Sequence, residues 1–271
     1  MSLNQFRRLP AANVVTAGTT STFQIPLGPT YRSLNLRYTE SAADANEATQ
    51  AAGIDRIRLK INGIARIDVS GPRWHSLVKY YGFAIPTGVF PIPFSRKYLR
   101  TTLGEDNTAL GTGNLQSVTL EVDINSGATS PGLQLDGEQV PERRDLGSMI
   151  QVLEHTHTAG GSGLSEKSDL PRSNGALMAL HMHSSVITKA ELELDSLNMF
   201  NCDLVTARAI YAQMGRVPQT NVQHIEPCYL DRLADLWPLN QVQDYRLKIT
   251  TSGSGTIPIV QETLGVPNVT N

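Results

Sequence analysis

The sequence has little cysteine and no excess of charge of either sign, and each shortage excludes a class of protein. Cys202 and Cys228 are the only two cysteines in 271 residues. They are too few for a disulfide framework, so no disulfide is predicted and folding in a reducing compartment is expected. Basic residues number 23 and acidic residues 25, which gives no broad positive field for a nucleic acid backbone. No direct, sequence-specific binding of nucleic acid is therefore predicted.

Long apolar runs are also missing. The first segment, MSLNQFRRLPAANVV, lacks the apolar core of a signal peptide, and no window approaches the roughly 18 apolar residues that a membrane span needs. The protein is therefore expected to be made and kept soluble. Arg7 and Arg8 form a small basic spot in this segment, which is interpreted either as a flexible, solvated terminus or as a contact with lipid.

The residues that are plentiful favour a globular protein with many turns. The apolar fraction is 40% and the charged fraction 18%, while 22 glycines and 15 prolines argue against long helices. The length allows one large domain or two domains of about 130 residues. The choice between them depends on whether the sequence repeats.

A pattern of strand, turn, strand and helix does occur twice, at a constant separation of 133 positions. The copies are LKINGIARIDVSGPRWHSLVKYYG at residues 59–82 and LELDSLNMFNCDLVTARAIYAQMG at residues 192–215. Apolar and polar residues alternate before and after a turn pair, which is Asn62-Gly63 in the first copy and Asp195-Ser196 in the second. Each copy therefore predicts a hairpin that leads into a helix.

The two predicted helices share their boundaries and their apolar stripe. Ser70 and Asp203 are the predicted N-caps, and Gly82 and Gly215 supply the left-handed residue that ends each helix. Apolar residues at the i, i+3, i+4 and i+7 positions predict the buried face. They are Trp74, Leu77, Val78 and Tyr81 in the first helix, and Ala207, Ile210, Tyr211 and Met214 in the second.

Flanking strands extend the repeat. YRSLNLRYT matches NGALMALHMHSS at an offset of 146, and the 13 extra positions are absorbed by SAADANEATQAAG, which is predicted to be an exposed loop. SVTLEVDINSG matches DYRLKITTSGSG at an offset of 127, and Pro131 and Pro258 fall at the same spacing. Many short strands with two convincing helices predict a mainly β fold of two β-sandwiches. The boundary is placed in DGEQVPERRDLGS, giving domains of residues 1–140 and 141–271.

Three strand segments resemble a known family. In chain order, AGTTSTFQIPLGPTYRSLNLRYTES, SDLPRSNGALMALHMHSS and QVQDYRLKITTSGSGTIPIVQETLG are similar to the major capsid proteins of corticovirus-type phages, which are tailless, icosahedral and contain an internal membrane. The resemblance spans most of the chain and rests on strands rather than on a catalytic motif. The loop from Ser41 to Gly53, the segment HTAGGSGLSEKSD and the turns from Gly104 to Gly113 fall outside it.

The resemblance implies a fold, an activity and partners. The fold is a double jelly roll, with two eight-stranded β-sandwiches in one chain and a short helix in each. The activity is assembly: three chains form a pseudo-hexameric capsomer, and capsomers tile an icosahedral shell over the internal membrane. The implied partners are other copies of the chain, neighbouring capsomers, other virion proteins including a vertex protein, and the lipid surface. The implied location is the virion, after synthesis in the host cytoplasm.

The spacing of the histidines supports an alternative to the capsid interpretation, a metal-binding enzyme. His155 and His157, and likewise His181 and His183, are two residues apart, so on a strand each pair points to one side. Two such pairs on adjacent strands would make a metal site, as in a bicupin enzyme. Against this, Glu166 lies nine positions beyond His157, too far for the cupin pattern, and His181 and His183 are expected to face solvent or an interface, opposite Leu180 and Met182.

No catalytic, cofactor-binding or metal-binding residue is predicted. The chain has no G-x-x-x-x-G-K-[ST] and no G-x-S-x-G motif, and Cys202 sits at a strand end. Calcium between subunits is kept as a hypothesis for the acidic segment from Gly104 to Thr108. Trp74 and Tyr81 are expected to be core residues, and Trp237 either core or an inter-subunit anchor. A lectin-like sugar-binding sandwich is the remaining alternative, supported by architecture alone.

Overall fold

The structure, a computed structural model, describes residues 4–99, 104, 107–168, 170–172 and 175–268. It divides into two compact units. The N-terminal unit contains the chain up to Gln151 together with the segment that begins at Val266, and the C-terminal unit contains Val152–Gly265. No helix in the described part of the chain is both long and apolar enough to cross a membrane.

Short strands dominate both units. Up to the division the elements are β1 (Gln5–Arg8), β2 (Thr20–Gln24), β3 (Thr30–Glu40), β4 (Ala43–Asp44), α1 (Glu47–Gly53), β5 (Ile54–Ile61), β6 (Ile64–Ser70), α2 (Gly71–Tyr80), β7 (Val89–Pro93), β8 (Leu110–Gly111), β9 (Val118–Ile124) and β10 (Pro131–Val140). They continue with β11 (Met149–Ala159), β12 (Gly163–Lys167), β13 (Ala176–His183), β14 (Ile187–Leu194), β15 (Leu197–Asp203), α3 (Leu204–Gln213), β16 (Val222–Ile225), β17 (Trp237–Pro238), β18 (Tyr245–Thr251) and β19 (Gly255–Gly265). Short 3-10 turns lie at Lys97–Leu99 and Leu233–Asp235.

Strand order is the same in the two units. In the N-terminal unit one sheet has the order β6-β5-β9-β2, and the other has β1-β10-β3, with β4, β7 and β8 also paired to β3. In the C-terminal unit the corresponding orders are β15-β14-β18-β12 and β11-β19-β13, with β16 and β17 also paired to β13. Each unit is therefore a β-sandwich of the predicted kind, and the second repeats the connectivity of the first.

The predicted repeat of hairpin and helix is present in the structure, and its separation of 133 positions is exact. Both ends of β5, β6 and α2 fall 133 positions before the ends of β14, β15 and α3. Both hairpins also carry a β-bulge at the same place, after Leu59 in the first and after Leu192 in the second. Bulges twist and bend a strand in a defined way, so the two hairpins share their shape as well as their length.

The turns of the two hairpins are fastened alike. Asn62 and Asp195 each have a φ of +48°, as the sequence required of a tight turn. The side-chain oxygen Oδ1 of Asn62 accepts hydrogen bonds from two consecutive backbone N–H groups, those of residues 116 and 117. Oδ1 of Asp195 does the same with residues 243 and 244. The 127-residue offset of the following strands is therefore confirmed by equivalent contacts.

One alignment of the sequence is wrong. Pro131 begins β10, but Pro258 lies three residues inside β19. The pairing registers give the reason: Leu36 pairs with Leu135, and its counterpart Met182, 146 positions on, pairs with Ile259. The last strands therefore correspond at an offset of 124, since the turn before each of them differs in length.

The segment from Ser41 to Gly53 is not the exposed loop that its polarity predicted. It contains β4 and the helix α1, which begins at an Asn46 cap whose Oδ1 accepts from the Thr49 N–H at 2.9 Å. Gln50 is fully buried, and its amide donates to the carbonyl oxygens of Ala45 and Pro86, both at 2.9 Å. Helix α1 packs against α2, so the insertion covers the first of the two duplicated helices.

The duplicated helices differ in what covers them. The α2 stripe is buried as predicted: Trp74 is fully enclosed and donates its indole N–H to the Pro91 carbonyl at 2.8 Å, and Tyr81 stacks under Arg96. On α3, Ala207 and Tyr211 are buried, but Ile210 and Met214 are about 40% exposed. The prediction was wrong for these two residues: the side of α3 that packs against the strands takes in Ala207 and Tyr211 but leaves Ile210 and Met214 partly in solvent.

Candidate functional site

The structure does not bring the two histidine pairs together. His155 and His157 lie on β11, His181 and His183 lie on β13, and β19 runs between these strands. Within the described ranges, no group of three or more His, Cys, Asp or Glu side chains is arranged to hold a metal ion. Glu166, the acidic residue of the cupin alternative, faces Arg246 at 4.0 Å.

His181 is instead part of a buried hydrogen-bond chain. It is 1% exposed, which contradicts the expectation that it faces solvent or an interface. Its Nδ1 lies 2.7 Å from Nδ1 of His224, and its Nε2 lies 2.8 Å from Oε1 of Glu262. The backbone N–H of Gln219 donates to Nε2 of His224 at 3.3 Å. The sheet register explains the meeting, because His224 is the cross-strand partner of His181.

The donors and acceptors of this row of hydrogen bonds determine which ring nitrogens carry protons. Nε2 of His224 accepts a hydrogen bond, so its Nδ1 carries the proton and donates to His181, which in turn donates to the carboxylate of Glu262. Burial, and then the neighbouring His181, His183 and Arg208, hold the pKa of His224 well below its usual value. His224 is thus neutral, and the contacts engage all four ring nitrogens of the two histidines, an arrangement that fixes β13 against its neighbours.

A cavity of about 600 Å³ opens beside α3 in the C-terminal unit. Most of the side chains that line it are apolar or aromatic, and a few are polar. They are Met199, Phe200, Asn201, Cys202, Ala207, Ile210, Tyr211, Glu226, Pro227, Tyr229, Leu230, Arg232, Asp235 and Trp237. Trp237 also packs, partly buried, against the core of this unit, which supports its prediction as a core residue.

Glu226, one of the residues that line the cavity, belongs to a buried ion pair. The guanidinium of Arg216 donates to both carboxylate oxygens of Glu226 at 2.8–3.1 Å, to the Cys228 carbonyl at 3.1 Å, and approaches Asp231 at 2.8 Å. Arg216 and Glu226 are almost completely enclosed. The Tyr211 hydroxyl accepts the backbone N–H of Glu226 at 2.9 Å. The charge-assisted, bidentate contact therefore joins two points of the segment after α3, and the Tyr211 hydrogen bond connects that segment to the helix.

The cysteines offer no activated nucleophile. Both are free thiols, and Cys228 is buried. Burial, followed by the nearby Asp203, raises the pKa of the Cys202 thiol, so this side chain is protonated at neutral pH. The thiol that Cys202 presents to the cavity is therefore not an activated nucleophile.

Several large apolar side chains on α3 and in the segment after it are open to solvent. They are 39–78% exposed and are Val205, Ile210, Met214, Val217 and Leu230. Ile210 and Leu230 line the same cavity, and Met214 lies one helical turn beyond Ile210. Among residues 204–230 the charged side chains are Arg208, Arg216 and Glu226, and the last two are buried against each other. The sequence pattern missed this surface because it assigned Ile210 and Met214 to the core.

Arg7 and Arg8 do not lie in a flexible tail. They belong to β1, which pairs with β10 from Gln5 to Arg8. Arg8 lies 3.6 Å from Asp136 and remains 69% exposed. The interpretation as a loose terminus is therefore wrong for these two residues, which project from an ordered strand.

Comparison with known families identifies matches over nearly the whole chain. Residues 6–140 match the family Viral coat protein P2 N-terminal domain, and residues 149–267 match Viral coat protein P2 C-terminal domain. No curated protein sequence matches the chain.

Solved structures give the same fold. The major capsid protein P2 of bacteriophage PM2 is 21% identical, with a TM-score of 0.88 and 98% of each chain covered. The major capsid protein of STIV is 11% identical, with a TM-score of 0.69 over 98% of this chain and 97% of that one. The PBCV-1 virus capsid is 10% identical, with a TM-score of 0.72 over 97% and 93%. These are double jelly roll proteins, so the predicted fold class is confirmed.

Proposed function

Since this chain belongs to the viral coat protein P2 family, with both domains of that family present, we propose that it acts as a homotrimer whose six jelly rolls form a pseudo-hexameric capsomer. The chain itself is a major capsid protein, located in the virion and associating with other subunits of the shell. The number of chains in the capsomer and its contacts with the membrane are the proposed part.

Membership in a coat protein family makes the chain a structural subunit rather than an enzyme. The bicupin alternative and the lectin-like alternative are left without support. No cofactor is evident for the family.

The observation that supports a ring of three is the duplication. A closed ring needs heterologous contacts, in which one flank of a subunit meets a different flank of the next. Two units with the same strand order and the same hairpin and helix at a separation of 133 residues supply such flanks in similar shapes. Six similar sandwiches from three chains then give a near-hexagonal footprint, which tiles a surface.

Two kinds of contact of different strength are proposed for assembly: contacts within the trimer and contacts between capsomers. Contacts within the trimer bury about 2,000 Å² or more per interface, the range of obligate assemblies. Contacts between neighbouring capsomers, and with a vertex protein, are smaller and use loops. Stable plates that attach weakly to each other can correct errors while a shell grows.

Native mass spectrometry of the purified chain tests the proposal. The expected mass is about three times the 29.5 kDa of one chain at micromolar concentration, because obligate interfaces do not dissociate there. A stable monomer or dimer under the same conditions would contradict it. The same sample analysed for bound metal and for glycan binding is expected to show neither, as befits a structural subunit.

A second part of the proposal places the β1 edge against the internal membrane. Arg7 and Arg8 project from this ordered strand, and each basic side chain near an anionic lipid surface contributes about 1 kcal/mol. Replacing both by alanine is expected to weaken binding to phosphatidylserine vesicles about 30-fold, by that contribution. The control is the other adjacent pair, Arg143 and Arg144, replaced in the same way. Equal binding of wild type and the Arg7/Arg8 variant would remove this contact.

The domain boundary and calcium complete the proposal. Residues 1–140 form the N-terminal jelly roll and residues 141–271 the C-terminal one, a division supported by the interval between the two matched family ranges. Calcium between subunits rests on the acidic segment from Gly104 to Thr108, whose two carboxylates, at positions 105 and 106, lie outside the described residues.

A further inference from the structure

We propose that a cavity in the N-terminal unit binds a small planar ring of the imidazole class, whose ring N–H donates a hydrogen bond to Glu138. The cavity has a volume of about 450 Å³, which lies in the range of small-molecule sites. Its lining comes largely from β1, β10, β3 and β7, which are neighbours in one sheet. The class of ligand follows from what the C-terminal unit holds at the equivalent place.

Strand pairing shows which residues of the two units are equivalent. Asn35 of β3 pairs with Pro91 of β7. His181 of β13, which lies 146 positions after Asn35, pairs with His224 of β16. An asparagine and a proline therefore occupy the places at which the C-terminal unit has its two hydrogen-bonded imidazole rings.

The carboxylate of that row of hydrogen bonds is present in both units. Glu138 of β10 pairs with Ser33 of β3. Glu262 of β19 pairs with Ala179 of β13, which again lies 146 positions after its counterpart. The N-terminal unit thus keeps the carboxylate but has neither imidazole, and the cavity lies where the rings would be, since Asn35, Pro91 and Glu138 all line it.

The Glu138 carboxylate has room for a further donor. The Ser33 hydroxyl donates to its Oε2 at 2.9 Å, and among the described residues no other side chain or backbone group donates to this carboxylate. In the C-terminal unit, by contrast, Oε1 of Glu262 lies 2.8 Å from Nε2 of His181. Asn35 does not replace that contact, because its amide donates to Ser33 Oγ at 3.4 Å. A ring N–H at the place of the His181 ring would therefore meet an acceptor.

The rest of the cavity suits the faces of a flat ring. Phe6 is the cross-strand partner of Glu138 and is 75% exposed, so its ring offers an apolar face beside the carboxylate. Phe83, Pro91 and Pro93 also line the cavity. Aromatic rings pack on one another in stacked or edge-to-face arrangements. A ligand ring can therefore direct its edge to the carboxylate and keep its faces against apolar side chains.

The charges of the lining favour a neutral ligand. Arg32 and Glu138 are the charged residues among those that line the cavity, so one positive and one negative charge are already present. A cationic ligand would add an excess positive charge to a partly enclosed site, which is costly. Imidazole is mostly neutral at pH 8 and still carries an N–H donor, so it fits better than an ammonium or guanidinium group.

Saturation-transfer NMR of the full-length chain at pH 8, with free imidazole as the probe, tests the site. We expect a dissociation constant on the order of 1 mM, as for a very small ligand. Thiazole, a ring of similar size without an N–H, is expected to bind at least about 10-fold more weakly, because the hydrogen bond to a carboxylate is lost. Equal binding of the two rings, or no binding of imidazole, would overturn the proposal.

Two variants locate the bound ring. Glu138→Gln is expected to weaken imidazole binding about 10-fold, whereas Glu142→Gln, at a side chain that is 58% exposed and outside the lining, is expected to leave it unchanged. Asn35→His keeps the carboxylate and supplies a ring of its own at the place of His181, so added imidazole is expected to be excluded. Binding that is unchanged in both Glu138→Gln and Asn35→His would overturn the site.

A blocked histidine, with both of its backbone ends capped as amides, distinguishes two sources of such a ring. If it binds as tightly as imidazole or more tightly, the cavity accepts a histidine side chain of a polypeptide. If imidazole binds and the blocked histidine does not, the cavity accepts a free small molecule. Both results support an imidazole site at Glu138, and failure of both probes to bind would contradict it.

Discussion

Replacing Arg216 by alanine is expected to destabilise the C-terminal unit by about 3–5 kcal/mol. The guanidinium is 4% exposed and is the bidentate partner of Glu226, which is completely buried. Removing it leaves the Glu226 carboxylate buried without its counter-charge, and the Cys228 carbonyl loses a donor. Urea unfolding followed by the fluorescence of Trp237, in a Trp74→Phe background, measures the change in this unit.

Two comparisons decide whether the buried charge is the cause. Arg232→Ala removes an arginine from the same segment, but its ion pair with Asp235 is mostly exposed, so the expected loss is below about 1 kcal/mol. Arg216→Met together with Glu226→Leu removes both charges, and most of the lost stability is expected to return. If Arg216→Ala costs no more than Arg232→Ala, the pair does not hold this segment in place.

Acidification from pH 7 to pH 5 is expected to destabilise the N-terminal unit by about 2 kcal/mol, at a slope of about 1.4 kcal/mol per pH unit below 6.5. Burial lowers the pKa of His75 to about 4, with Glu47 opposing this and Lys79 adding to it. Below pH 6.5 the unfolded chain therefore binds a proton that the folded chain does not. Stability falls as the pH falls, until the folded state is protonated as well near pH 4.

A single substitution isolates this effect. The His75 ring lies 4.6 Å from that of Phe90, and neither ring nitrogen has a hydrogen-bond partner among the described residues. His75→Phe is therefore expected to preserve stability at pH 7 and to flatten its dependence on pH. The readout is urea unfolding at fixed subunit concentration, monitored by Trp74 in a Trp237→Phe background. An unchanged slope in the variant would assign the acid sensitivity to other groups.

The C-terminal unit also has a buried histidine with a lowered pKa. The pKa of His224 is lowered by burial and by its histidine and arginine neighbours, so the sign of the pH dependence is the same. Both sandwiches are therefore expected to lose stability on acidification for the same reason, a buried histidine whose pKa is lowered in the folded state.

The parts of the fold that local chemistry encodes were predictable from the sequence. The hairpin and its helix followed from alternation, turn residues such as Asn62 and a terminal glycine, all of which act within a few residues. Their repetition at one offset predicted two similar units, and the structure agrees at both ends of each element.

The parts that depend on distant residues were not predictable. EATQAAG has no large apolar residue, so α1 gave no helical stripe; its stability comes from Gln50, which binds the carbonyl of Pro86, 36 positions away. The partners of His181 lie 43 and 81 positions further along the chain and meet it through sheet register. The exposure of Ile210 depends on which neighbouring segments pack over the helix, and those segments are distant in sequence. A sequence stripe identifies an apolar face, but it does not identify what covers that face.

Electron microscopy of the purified chain, averaged from single particles, tests the central claim most directly. The account predicts a three-fold particle with six similar lobes in a near-hexagonal outline. A particle with another number of chains, or one without six similar lobes, would contradict it.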